Sequence, residues 1–106
     1  MSEYLTKLFI GMNDKTTKKQ EKTSKKIKSI IMETLRLYKI EGATIYNANG
    51  IYTHTNGEQV NENTFIIELL FVDYNVVVTL CNSLKVLLNQ ESIALQQIEL
   101  SRCELI

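Results

Sequence analysis

The sequence predicts an α+β fold, an antiparallel sheet with two helices on one face, and three observations predict it. Residues 64–72, Thr-Phe-Ile-Ile-Glu-Leu-Leu-Phe-Val, carry one charge, Glu68, and are apolar on both alternating faces. Phe65, Ile67, Leu69 and Phe71 share one face; Ile66, Leu70 and Val72 flank Glu68 on the other, as expected of a central strand that needs cover on both sides. Two other stretches repeat apolar residues at three- and four-residue spacing, the helical period. The order of segments is strand, helix, paired strands, helix, strand.

The first strand covers residues 4–10, with Tyr4, Leu8 and Ile10 on one face and Leu5 and Phe9 on the other around Lys7. It too reads as central. A break over residues 11–14 leads into Asp-Lys-Thr-Thr, whose side chains can cap a helix starting near residue 15 or 16. That helix runs to about Tyr38, because Ile27, Ile30, Ile31, Thr34, Leu35 and Tyr38 fall on one face. Gly42 follows as the expected left-handed residue past its end. The second strand starts at Ala43, turns or bulges over Asn47-Ala48-Asn49-Gly50, and resumes over residues 51–54, giving an extra hairpin between strands 2 and 3. Asn56-Gly57 is the strongest hairpin signal in the chain. After the central strand, Asp73 caps a second helix in which Val77, Leu80, Cys81, Leu84, Leu87 and Leu88 form the apolar stripe. Its valines 76–78 have weak helix propensity. The last strand spans residues 92–100, and its alternation slips at Gln96-Gln97, which suggests a bulge.

This order is the split-βαβ, or ferredoxin-like, βαββαβ sandwich. With 106 residues, one domain covering residues 1–106 is expected. The helices cover one face of the sheet. The other retains Ile66, Leu70 and Val72, an apolar surface monomers avoid, so a homo-oligomer joined through that open face is expected. No stretch is apolar enough for a membrane span, no secretion signal is evident, and the two cysteines, Cys81 and Cys103, form no Cys-x-x-Cys pair. A cytoplasmic location with reduced thiols follows as the expectation.

Net charge is zero, yet seven of the twelve basic residues lie within residues 15–28, where Glu21 is the one acid. Lys15, Lys18, Lys19, Lys22, Lys25 and Lys26 cluster on one helical face, opposite the apolar stripe. Such a face could attract an anionic partner. Against nucleic acid stand the zero net charge, the presence of two arginines alone, and the absence of aromatic residues within the basic run. A solvated helix face is the simpler reading.

Several fragments together resemble a family of short bacterial proteins known as a domain of unknown function. They are residues 4–11, Gly42-Ala43-Thr44-Ile45-Tyr46, Gly50-Ile51-Tyr52, Gly57-Glu58, the central strand, and Gln90-Glu91-Ser92-Ile93. The last is the most specific, being similar to the Gln-Glu-Ser-Val start of the family's final strand. The lysine-rich first helix and the lack of tryptophan depart from the pattern. The resemblance implies the fold and carries no activity. A looser similarity, through Gly42-Ala43-Thr44, runs to PII-like signalling proteins, although residues 47–63 hold no nucleotide-binding motif.

Candidate chemistry is sparse. His54, the one histidine, lies near Tyr52, Glu58 and Glu62 and could act as a base or bind a ligand. Glu68 could be a functional carboxylate, or could pair with Lys7 across the sheet. Tyr46 and Tyr52 flank the Asn-Gly turn and could line a pocket with Asn49. One histidine and scattered acids provide no metal site, and no phosphate loop, nucleophile motif or cofactor fingerprint is present, so neither metal nor cofactor is expected. The leading expectation is a self-associating binding or regulatory module for a small molecule or protein. The alternative is a small enzyme of the dimeric α+β-barrel type, with its substrate between sheet and helices and Tyr46, Tyr52, His54 or Glu68 as acid and base. A further alternative is weak nucleic-acid binding through residues 15–26.

Overall fold

Alternation along the two central strands decides which side chains meet the helices. In the computed structural model, β1 (Tyr4–Met12) lies antiparallel to β3 (Gln59–Leu70) with Leu8 opposite Ile67, Ile10 opposite Phe65 and Thr6 opposite Leu69. All six side chains are buried on one face. The model describes residues 4–12, 17–53, 55–90, 92–102, 104 and 106; for residues 12, 17–24, 52 and 60–62 it describes the backbone alone. β2 (Thr44–Thr53) and β4 (Ala94–Glu99) complete a four-stranded antiparallel sheet in the order β2-β3-β1-β4. With α1 (Thr17–Leu37) and α2 (Tyr74–Leu87), this is the expected ferredoxin-like α+β architecture.

The helices supply the other half of the core. Ile31 and Leu35 of α1, one turn apart, and Val77, Leu80, Cys81 and Leu84 of α2 close over Leu8, Ile10, Phe65, Ile67 and Leu69 as one cluster. Two buried hydroxyls are satisfied, one within α1 and one across the sheet: Thr34 Oγ1 donates to the Ile30 carbonyl at 2.6 Å, and Thr6 Oγ1 accepts from Gln97 Nε2 at 3.3 Å. The helices are also tied together by a short hydrogen bond between the Tyr38 and Ser83 hydroxyls. Asp73 occupies the N-cap of α2 in extended conformation, without a side-chain capping bond. Among the described residues, no helix is long and apolar enough to cross a membrane.

Four local expectations are corrected. Asn47-Ala48-Asn49-Gly50 does not turn: β2 runs unbroken against β3 from Thr44↔Glu68 to Thr53↔Gln59, so the extra hairpin reduces to the single β2–β3 hairpin. There Gly57 takes φ 86° and Asn56 Oδ1 accepts the Glu58 N–H at 2.9 Å. The expected bulge at Gln96-Gln97 is likewise absent, since Leu95, Gln96, Gln97 and Ile98 pair in unbroken register with β1. The apparent slip reflects a partly buried polar contact, Gln97 facing the helices to reach Thr6. The central strand stops at Leu70, because Phe71 enters the left-handed region at φ 59° and its N–H bonds to the Tyr4 carbonyl at 3.3 Å.

The end of α1 is the fourth. Its left-handed residue is Lys39 (φ 56°), not Gly42. The Lys39 and Ile40 amides bond back to the Arg36 and Leu35 carbonyls, both at 3.0 Å, closing a Schellman motif. The same motif ends α2, with Asn89 (φ 51°) and Gln90 bonding back to Val86 and Lys85. A lysine there pays a steric cost glycine avoids. Lys39→Gly is therefore expected to stabilise the fold by about 0.5–1 kcal/mol, read as a raised urea midpoint at unchanged slope.

Candidate functional site

The sheet face away from the helices is laid out in rows by the strand register. One row runs Gln96, Lys7, Glu68, Thr44; the next runs Ala94, Phe9, Ile66, Tyr46; Ile98, Leu5 and Leu70 form a third. Lys7 therefore stands directly opposite Glu68, as the sequence suggested. Ile98 and Leu70 remain 38% and 44% exposed. An apolar row thus lies beside a polar one on an uncovered face.

Tyr46 and Glu68 are diagonal neighbours across the β2–β3 ladder, a spacing aromatic side chains span. The Glu68 carboxylate raises the Tyr46 phenol above its ordinary pKa, chiefly by accepting its hydrogen bond, with desolvation and the carboxylate's negative charge adding to the effect. Among the described residues of the expected site, these two are the pair that the register brings side by side. Asn49 pairs with Asn63 in the register that faces the helix side, and Glu58 sits exposed at the β2–β3 turn, so neither joins Tyr46 and Glu68. His54 and Lys15 lie outside the described residues, as do the side chains of Tyr52, Glu62, Lys18, Lys19 and Lys22. Lys25 and Lys26 are exposed on α1.

A cleft of ≈ 720 Å³ opens where the sheet's end meets the α1–β2 and β3–α2 connections. Leu5, Thr44, Glu68 and Leu70 enter it from the open face; Tyr38, Lys39, Glu41, Gly42 and Ala43 form one wall, and Phe71, Val72, Asp73 and Val76 the other. Its floor is apolar and its rim holds three carboxylates, those of Glu41, Glu68 and Asp73, against one ammonium, that of Lys39. The left-handed Phe71, 37% exposed, belongs to this cleft. A bulky residue held in that region stores roughly 1–3 kcal/mol of strain, which folds tolerate mostly at functional positions. Sequence reasoning singled out Glu68 but missed Phe71, since a Phe continuing an apolar alternation carries no sign that the strand ends before it.

Core side chains fill the centre of the space between sheet and helices, so among the described residues no enclosed substrate chamber forms there. Cys81 belongs to that core, and burial pushes its thiol above the ordinary pKa despite the opposing charge of Lys85. Among the described residues, no group of three or more His, Cys, Asp or Glu could hold a metal ion.

No family model and no curated protein matches the chain in sequence. Solved structures do match it in fold. A phage SAM lyase in complex with S-methyl-5'-thioadenosine is similar at 20% identity and a TM-score of 0.60, over 91% of this chain and 80% of that one. A DUF3240-family protein from Shewanella baltica is similar at 14% identity and 0.57, over 100% and 99%. The B. subtilis GlnK–ATP complex follows at 18% identity and 0.50, over 93% and 85%. The resemblances to a family of unknown function and to PII-like proteins are thus shown at the level of fold.

The Tyr46–Glu68 pair has a measurable pH signature. Because the folded phenol holds its proton more tightly than the unfolded one, the stability it contributes is complete below the ordinary phenol value of about 10 and is lost as pH rises through the folded value. Titration at 295 nm, with Tyr46→Phe as the difference reference, is expected to show Tyr46 ionising late, and Glu68→Gln to bring it back toward the ordinary value.

Proposed function

We propose that the chain is a self-associating binding or regulatory module that takes a small molecule in the cleft at the end of its sheet. The cleft itself carries this reading: an apolar floor, a few convergent polar groups and a strained wall residue are what small-molecule sites are made of. Self-association draws its support from the same face. Leu5, Thr44, Glu68 and Leu70 belong both to the cleft and to the uncovered side of the sheet, so a second copy seated there would help close the cleft.

Native mass spectrometry of the purified protein tests both parts. A dimer or trimer at micromolar concentration is expected, carrying extra mass that gentle activation releases. The exposed pair Leu70→Lys and Ile98→Lys should reduce it to monomer with the fold intact by circular dichroism. A wild-type monomer at tens of micromolar would sink the self-association.

A second reading, an enzyme using Tyr46 and Glu68 for acid–base chemistry, is favoured by the register that sets them diagonally adjacent on β2 and β3 and by the likeness to a phage SAM lyase. Incubation with SAM, followed by chromatography for S-methyl-5'-thioadenosine, separates the two readings. Product that disappears with Glu68→Gln and with Tyr46→Phe supports the enzyme; no product above the protein-free control leaves the binding module.

A further inference from the structure

Among the described residues, the sheet has one long edge strand without a guarding charge. β2 stands at the end of the strand order, is ten residues long, and contains no proline and no charged residue from Thr44 to Thr53. Charges, prolines and short strands are the usual means of blunting an edge against pairing with another chain. The opposite edge, β4, has six residues and ends in Glu99. Ile51 on β2 is 65% exposed.

A second cleft, of ≈ 660 Å³, lies beside the start of this edge, between β2 and α1. Met32, Leu35 and Ile45 give it an apolar floor, and Lys28, Arg36 and Lys39 ring it. On α1 and its C-cap these residues follow the helical repeat, Lys28, Met32, Leu35, Arg36 and Lys39, so they form a single stripe overlooking the edge. Exposed Lys25 continues the stripe one turn earlier. Arg36 is held by both oxygens of Glu33, at 2.6 and 2.7 Å. Lys28 and Lys39 make no ion pair among the described residues, and Glu41 is the one acid of the cleft.

We propose that the β2 edge and this cleft dock an extended segment of a partner protein that presents an apolar side chain between two acidic ones on the same strand face. Its backbone continues the ladder past β2, its apolar side chain enters over Met32 and Leu35, and its carboxylates meet Lys28 and Lys39, the strand-addition mode of peptide recognition. Charge selects this occupant over a β2-to-β2 contact with a second copy. Joining two β2 edges antiparallel would bring the two cationic α1 stripes to the same seam, where like charges oppose each other.

The probe is the peptide Thr-Glu-Thr-Leu-Thr-Glu-Thr, fluorescently labelled and blocked at both ends, with a control in which lysine replaces both glutamates. Anisotropy titration against the full chain is expected to show saturation below about 1 mM, weakening with salt, with slowed amide exchange at alternate residues of β2. The Lys28→Glu, Lys39→Glu double variant should weaken binding at least about tenfold. Met32→Glu, at a side chain 55% exposed, provides a second variant that leaves the core untouched. Absence of binding, equal binding of the lysine control, or protection outside β2 overturns the proposal. So does slow exchange, in the free protein, of the β2 amides that point away from β3, which would mean that another copy already occupies the edge.

Discussion

The structure depends on the central β1–β3 pair and on the fact that only one of its two apolar faces is covered. The register that sets Leu8 against Ile67 and Ile10 against Phe65 sends those side chains under the helices. By the strand's period of two, it sends Phe9, Ile66, Leu5 and Leu70 to the opposite side. Neither face can be improved at the other's expense: a one-residue slip would exchange them and place Lys7 and Glu68 in the core. The candidate site follows from the uncovered face and from the two connections at one end of the sheet, α1 to β2 and β3 to α2.

Those connections are built around left-handed residues that are not glycine. Lys39 closes α1 and carries the chain into the wall shared by both clefts; Phe71 turns the chain off β3 and forms the opposite wall of the larger one. The 39–43 connection therefore stands between two different electrostatic environments. On one side it borders an apolar cleft rimmed by Glu41, Glu68 and Asp73, and on the other an apolar cleft rimmed by Lys28, Arg36 and Lys39. A neutral chain with its bases crowded onto α1 is what this separation of charge looks like in three dimensions.

Tyr46 and Glu68 show how much of the candidate site could be read from residues alone. Both stood out individually, one as an aromatic on a strand and the other as a lone charge in an apolar run. Nothing in their spacing, twenty-two positions apart, says that they meet; that follows from the β2–β3 register. The same register separates them from Asn49 and Glu58, which are nearer to Tyr46 along the chain. The Gln96-Gln97 pair misled for a related reason. A polar residue facing the core breaks an alternation in the sequence, but in the structure Thr6 satisfies it and the strand continues.

The sequence by itself determined the α+β class, the order of its elements, the two doubly apolar strands and the helix faces, because periodicity and burial are local properties of residue type. Tertiary structure decided where the strands end, which residues take the left-handed turns, which polar groups meet, and that two clefts of opposite charge lie on either side of one connection. Those outcomes depend on register and on contacts between segments distant in the chain, where a local pattern places no constraint.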